Sequence, residues 1–180
     1  MACVTKLASA IAYDCDTGAA GLASAIIINK ADIASFTVDS AGVLSALTLV
    51  PGAHAYKLDT VKRSVTLSSS LKVNDGAPNA LTHTATLTVF DKIGAGSAAG
   101  ITMAMTNGSF VILASHVPDH NSSRAAYGLY YGMRATAIDR HSHDNGGWAT
   151  VTMSTPENVI GEDHIIIIPT LYNSLLAAAV

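Results

Sequence analysis

The sequence predicts a mainly β fold, an antiparallel β-barrel or sandwich with one packed central helix and extended terminal arms. Three observations predict it. In "LTHTATLTVF" the apolar side (Leu81, His83, Ala85, Leu87, Val89) alternates with Thr82, Thr84, Thr86 and Thr88, the period of two of a strand with one face buried. Short β-rich runs recur between clusters of Pro, Gly, Asn and Asp, as in a meander. "YGLYYGMRATAI" and "WATVTMS" flank Asn145-Gly146, a strong hairpin signal.

The 180 residues fit one domain, 1–180, long enough to bury a core. Residues 1–24 read as an N-terminal arm that runs into the first β-rich stretch, "AIIINKADI". "SFTVD", "LSALTLV" ending at Pro51-Gly52, and "AHAYKLDTVKRSVTLSS" then supply short strands. Residues 72–80, "KVNDGAPNA", read as an exposed loop. Beyond "LTHTATLTVF", a central helix is expected to about Thr106, with Met103 and Met105 on it, followed by the strand "SFVILAS".

Tyr127, Leu129, Tyr131 and Met133 are expected on one face of a long strand, whose Gly128 and Gly132 admit a bulge or a close backbone neighbour. "HIIIIP" reads as a short buried strand. Residues 169–180 form a C-terminal tail with Leu171, Leu175 and Leu176 at helical spacing, nearly free of charge, and are expected to dock on this chain or on another.

Composition narrows the function. Ten basic and thirteen acidic residues give a net charge of −3, with no run of Lys or Arg, so the footprint of a sequence-specific nucleic-acid binder is missing. Charged residues make up 13%, about half the usual share, leaving a surface of Ser, Thr, Asn, Gly and Ala that suits packing against copies of itself. Cys3 and Cys15 are too few for a disulfide framework, and reduced thiols are the simpler reading. No apolar run reaches the ~18 residues of a membrane span, so no membrane anchor is expected.

Three groups invite a chemical reading. In "DRHSHDNGG", residues 139–147, His141 and His143 would share a strand face and bind a cation with Asp139 or Asp144. Further ligands would have to come from His116, Asp119 and His120 in "SHVPDHNSS", which has no ligand spacing, so a hairpin tip is preferred. Gly94-x-Gly96-x-x-Ala99 matches a dinucleotide fingerprint in spacing, yet it follows a Thr-studded strand rather than one buried on both faces in a parallel sheet.

Ser115-His116 and Asp119-His120 lack a nucleophile elbow. His54 and His83 sit within β alternation and are expected to make ordinary hydrogen bonds, while Glu157, Glu162 and Asp163 are expected in a solvated loop. Arg124 and Arg134 would serve an anion site or an interface. No catalytic, cofactor-binding or metal residue is assigned, and no enzyme activity is expected.

The order of elements resembles the tail tube proteins of tailed bacteriophages, and in particular small virion proteins of phages infecting Bacteroidetes-type bacteria. "IAYDCD" with "AIIINKADI", "NGSFVILAS", and "YGLYYGMRAT" followed by "GGWATVTMSTPE" carry the resemblance. It implies a small β-barrel or sandwich whose copies form rings, stacked through loops and terminal arms into a conduit for DNA that passes without sequence-specific binding. The partners implied are further copies and other tail proteins, and the location is the virion, after assembly in the host cytoplasm. A head decoration or tail terminator protein, and a metal- or nucleotide-dependent enzyme using the histidines or the Gly94–Ala99 loop, are the alternatives.

Overall fold

A computed structural model describes residues 21–58, 60, 64–90, 104–116, 123–141 and 148–180. The strands are β1 (Leu22–Asn29), β2 (Ile33–Val38), β3 (Val43–Leu49), β4 (Tyr56–Leu58), β5 (Val65–Lys72), β6 (Ala80–Phe90), β7 (Phe110–His116), β8 (Arg124–Tyr127), β9 (Arg134–His141), β10 (Trp148–Ser154) and β11 (Ile165–Ile167), followed by helix α1 (Pro169–Ala178). They form a seven-stranded sheet, ordered β2-β3-β11-β8-β7-β1-β4, and a four-stranded sheet, ordered β5-β6-β10-β9. Neither closes on itself among the described residues, so of the two expected architectures the sandwich is the one that fits.

The unbroken apolar runs explain the layering. "AIII" in β1 and "FVILA" in β7 are buried at every position, which a strand requires only when both its faces are covered. One face of the large sheet, with Ala25, Ile27, Ile112 and Ala114, meets Ala85, Leu87, Val151 and Met153 of the small sheet. The opposite face, with Ile26, Ile28, Val111 and Leu113, packs around Tyr172 and the leucines of α1. The order across the molecule is helix, large sheet, small sheet.

Strand pairing is antiparallel except between β3 and β11, a pair made when the chain returns from the small sheet to the large one. β11 is buried at Ile165 and Ile167, whereas Ile166 is 45% exposed. "HIIIIP" is therefore buried on one face only, because Ile166 points away from α1 on a part of the large sheet that the small one does not cover.

The tail at 169–180 docks on its own chain and is a helix, not an extended arm. Pro169 starts α1, where its missing N–H costs nothing. The Val180 N–H donates to the Ala55 carbonyl at 3.0 Å, and the Lys57 N–H donates to the Val180 carbonyl at 3.1 Å. At the other end β1 already begins at Leu22, inside the span expected as an arm, and residues 1–20 lie outside the described residues. Of the stretch expected to hold the central helix, residues 91–103 with Met103 also lie outside them; 104–107 are helical, and Met105 is buried between the sheets.

The expected long strand through Tyr127 and Met133 is two strands in different sheets. β8 ends at Tyr127, and β9 starts at Arg134 after a turn. Gly128 and Gly132 both hold positive φ, +75° and +73°, a region costly for any residue with a Cβ. These glycines carry the chain between the layers. The β5–β6 connection leaves 73–79 as a loop, close to the expected 72–80.

β9 and β10 pair antiparallel from His141↔Trp148 to Arg134↔Ser154, as a hairpin demands. Asp139–His141 of "DRHSHDNGG" belong to the strand, and 142–147 lie outside the described residues.

Candidate functional site

The outward Thr face of β6 obliges its inward face to bury His83, which is 0% exposed. Its Nδ1 lies 2.8 Å from Ser69 Oγ on β5, and its ring meets the Tyr127 ring edge-on at 5.3 Å between centroids. The Tyr127 hydroxyl in turn lies 3.1 Å from His116 Nε2. The hydrogen bond expected for His83 is present, but the residue it faces was not foreseen.

That residue is Glu162, 2% exposed, and not part of a solvated loop. Backbone pairing puts it there: the Leu81 N–H donates to the Glu162 carbonyl at 2.8 Å, and the Glu162 N–H donates to the Leu81 carbonyl at 3.0 Å. The side chain then turns inward. Its Oε1 accepts the N–H groups of Tyr130 (2.9 Å) and Tyr131 (2.8 Å), so it caps the turn between the two glycines. Its Oε2 faces His83 Nε2 across 3.9 Å, and neither atom has a hydrogen-bond partner.

Two of the passages between sheets thus meet at one carboxyl. The chain leaves the large sheet through 128–133 and returns to it through 155–164. Lys30, on the short 3₁₀ turn after β1, completes the cluster by donating from Nζ to the Leu129 carbonyl at 2.5 Å and lying 5.0 Å from the Phe36 ring centroid.

Burial sets the electrostatics. Desolvation holds His83 down at about 4, with His164 adding to the effect and the Asp163 backbone opposing it. Desolvation likewise raises Glu162, against the opposing pull of the backbone N–H groups and of Lys30. Both shifts favour the uncharged forms. Both side chains are shut away from solvent, and the chemistry their facing atoms are placed for is the sharing of a proton.

The other candidates are dispersed. Ser115 is buried, while Asp119 and His120 lie outside the described residues, as do His143, Asp144, Gly94, Gly96 and Ala99. His54 is exposed and precedes β4 instead of alternating within it. Arg124 lies over the Tyr172 ring at 5.6 Å; Arg134, Glu157 and Asp163 are exposed.

Among the described residues no three His, Cys, Asp or Glu side chains cluster as a metal site would require. β6, which precedes the glycine pattern, is antiparallel to both of its neighbours, whereas a dinucleotide fold needs a parallel strand there. No helix among the described residues is long and apolar enough to cross a membrane. No protein-family model, curated protein or solved structure matches the chain.

Proposed function

We propose that the chain is a non-enzymatic structural subunit that self-assembles into stacked rings, forming the tail tube of a bacteriophage virion through which DNA passes. The small sheet is the observation that carries this reading. Its edge strands β5 and β9 each pair on one side only among the described residues, and an open edge is a template for another strand. Because β5 and β9 are different edges, joining one copy's β5 to the next copy's β9 is a head-to-tail contact, the kind that closes rings.

The outward face of that sheet supports the same role. Directly opposed rows read Thr66, Thr86, Thr152 and Ser68, Thr84, Ser154. The charges carried into this face from β9 are Arg134 opposite Ser154 and Asp139 opposite Thr150, one of each sign. With Lys72 at its β5 end, the face carries isolated charges in a hydroxyl wall and no run of basic residues among the described side chains to hold phosphates, as a conduit requires. Other tail proteins would meet the ends of the tube, and the reading needs no cofactor.

Light scattering of the purified chain at rising concentration, with negative-stain microscopy of the same samples, tests the proposal. Rings or hollow tubes are expected. A strict monomer at every concentration overturns it, and a small closed oligomer that never stacks replaces it with a decoration or terminator role.

A further inference from the structure

We propose that His83 and Glu162 form a buried proton-binding site that keeps one proton at neutral pH, and that this proton locks the two passages between the sheets together. The geometry carries the inference. His83 Nε2 and Glu162 Oε2 are both buried without a hydrogen-bond partner, and they face each other at 3.9 Å. A buried polar atom without a partner is costly, and one proton between these two, with the pair drawn from 3.9 Å to hydrogen-bond distance, answers both.

The proposal places the proton on the carboxyl. Ser69 Oγ lies 2.8 Å from Nδ1, and in the tautomer whose Nδ1–H donates to that hydroxyl Nε2 is an acceptor. A carboxylic acid protonated on Oε2 is then the matching donor, while Oε1 remains free to accept from Tyr130 and Tyr131. Removing the proton leaves a buried carboxylate against an acceptor nitrogen, which pushes the carboxyl away from His83 and with it the turn it caps. Protonating both groups places an imidazolium in an apolar layer.

The groups facing the pair from each packed element fit this state. Tyr127 from β8 presents its ring to His83, with His116 of β7 behind it, and Ser69 comes from β5. Lys30 draws Glu162 toward ionisation, His164 disfavours charge on His83, and the Asp163 backbone favours it. Burial outweighs these effects, lowering His83 and raising Glu162.

The pH dependence has a defined sign. Glu162, raised when folded, contributes stability that is complete below the unfolded pKa of about 4.3 and lost as pH rises toward its folded pKa. His83, lowered from 6.5 to about 4, contributes stability that is complete above 6.5 and lost as pH falls toward 4. Between these bounds the two slopes oppose each other, and above 6.5 only that of Glu162 remains.

Glu162→Gln separates the two. The amide reproduces the neutral acid, accepting from Tyr130 and Tyr131 and donating to His83, and leaves the His83 slope alone. The experiment records thermal unfolding of the full chain and of Glu162→Gln from pH 4 to 9, with NMR of the wild-type Glu162 carboxyl carbon and the His83 ring nitrogens.

The expected results are a protonated carboxyl at pH 7 with a neutral ring carrying its proton on Nδ1. The variant is expected to unfold above the wild type at pH 8, and to lose that advantage as pH falls toward the unfolded carboxyl pKa of about 4.3, because the His83 slope is common to both proteins and cancels. A carboxylate signal from Glu162 across pH 6 to 7.5 overturns the proposal, as does a Glu162→Gln variant that is less stable than the wild type at pH 8. The wild-type NMR measurement decides the matter even where the variant fails to fold.

Discussion

The two sheets bury different amounts of themselves. At the centre of the large sheet β1 and β7 are covered on both faces, by α1 on one side and the small sheet on the other; the small sheet is covered on one face and shows hydroxyls on the other. Stability is concentrated in the first, and the second keeps a face and two edges for the outside. The contrast predicts a gradient of mutational cost. Leu113, 0% exposed in the layer under α1, should cost about 2–5 kcal/mol when changed to Ala, read from urea unfolding. A cost below about 1 kcal/mol would mean that α1 can close over the cavity and that its layer is loosely held.

The passages between the sheets come next. Gly128 holds φ +75°, and a Cβ there would lie 2.5 Å from Met133 Cγ and 3.0 Å from the Met133 backbone nitrogen. Gly76 has the same φ of +75° with nothing within 4 Å. Gly76→Ala should therefore lose only the backbone term, about 1 kcal/mol, whereas Gly128→Ala adds overpacking and should lose about 2–4 kcal/mol in total. Thermal unfolding of the two variants isolates the packing term by difference. Equal losses would show that the turn has room to yield and that the sheets are not tightly joined there.

The strands were legible because their patterns are local. Alternation in β6 gave its inward and outward faces correctly, and the Asn145-Gly146 signal between two strand-like stretches gave the β9–β10 pairing. Tyr127 to Met133 read as one strand because alternation continues through it, and nothing local says that the two glycines take positive φ and change sheets. Glu162 was hidden for a different reason. It stands in "PENVIGED" among polar residues, and its burial depends on pairing with Leu81, some eighty positions earlier. His83 was visible as a polar residue on an apolar face, which is a signal that a partner must exist but not where it is. The helix at the chain's end was foreshadowed by its leucine spacing, while its attachment at Ala55 and Lys57 depends on backbone atoms that carry no sequence signal.

The attachment of α1 gives a smaller effect. Tyr172 is 1% exposed, and its hydroxyl lies 2.8 Å from Ser24 Oγ on β1. Tyr172→Phe keeps the ring in the layer and removes the hydroxyl's contacts with Ser24 and with the Ser115 backbone, so it should cost about 1–2 kcal/mol in urea unfolding, under the loss at Leu113. A cost equal to that of Leu113→Ala would place much of the helix's anchorage in the polar contact instead of the apolar layer.

The smallest effect on folding belongs to the outward face of the small sheet. Thr84 stands there between Ser68 and Ser154 and is half-buried among neighbouring side chains. Changing it to Ala removes a hydroxyl that water serves equally well in the unfolded chain, and lowers β-propensity slightly. The expected change is within about 0.5 kcal/mol, measured by urea unfolding under conditions where the chain is monomeric. The same variant read by light scattering should assemble as the wild type does, since the proposed ring joins β5 to β9 at the sheet's edges and not across its face. A loss of assembly with unchanged folding would move the contact between copies onto the hydroxyl face, and the division between a stabilising sheet and an outward one would have to be redrawn around that face.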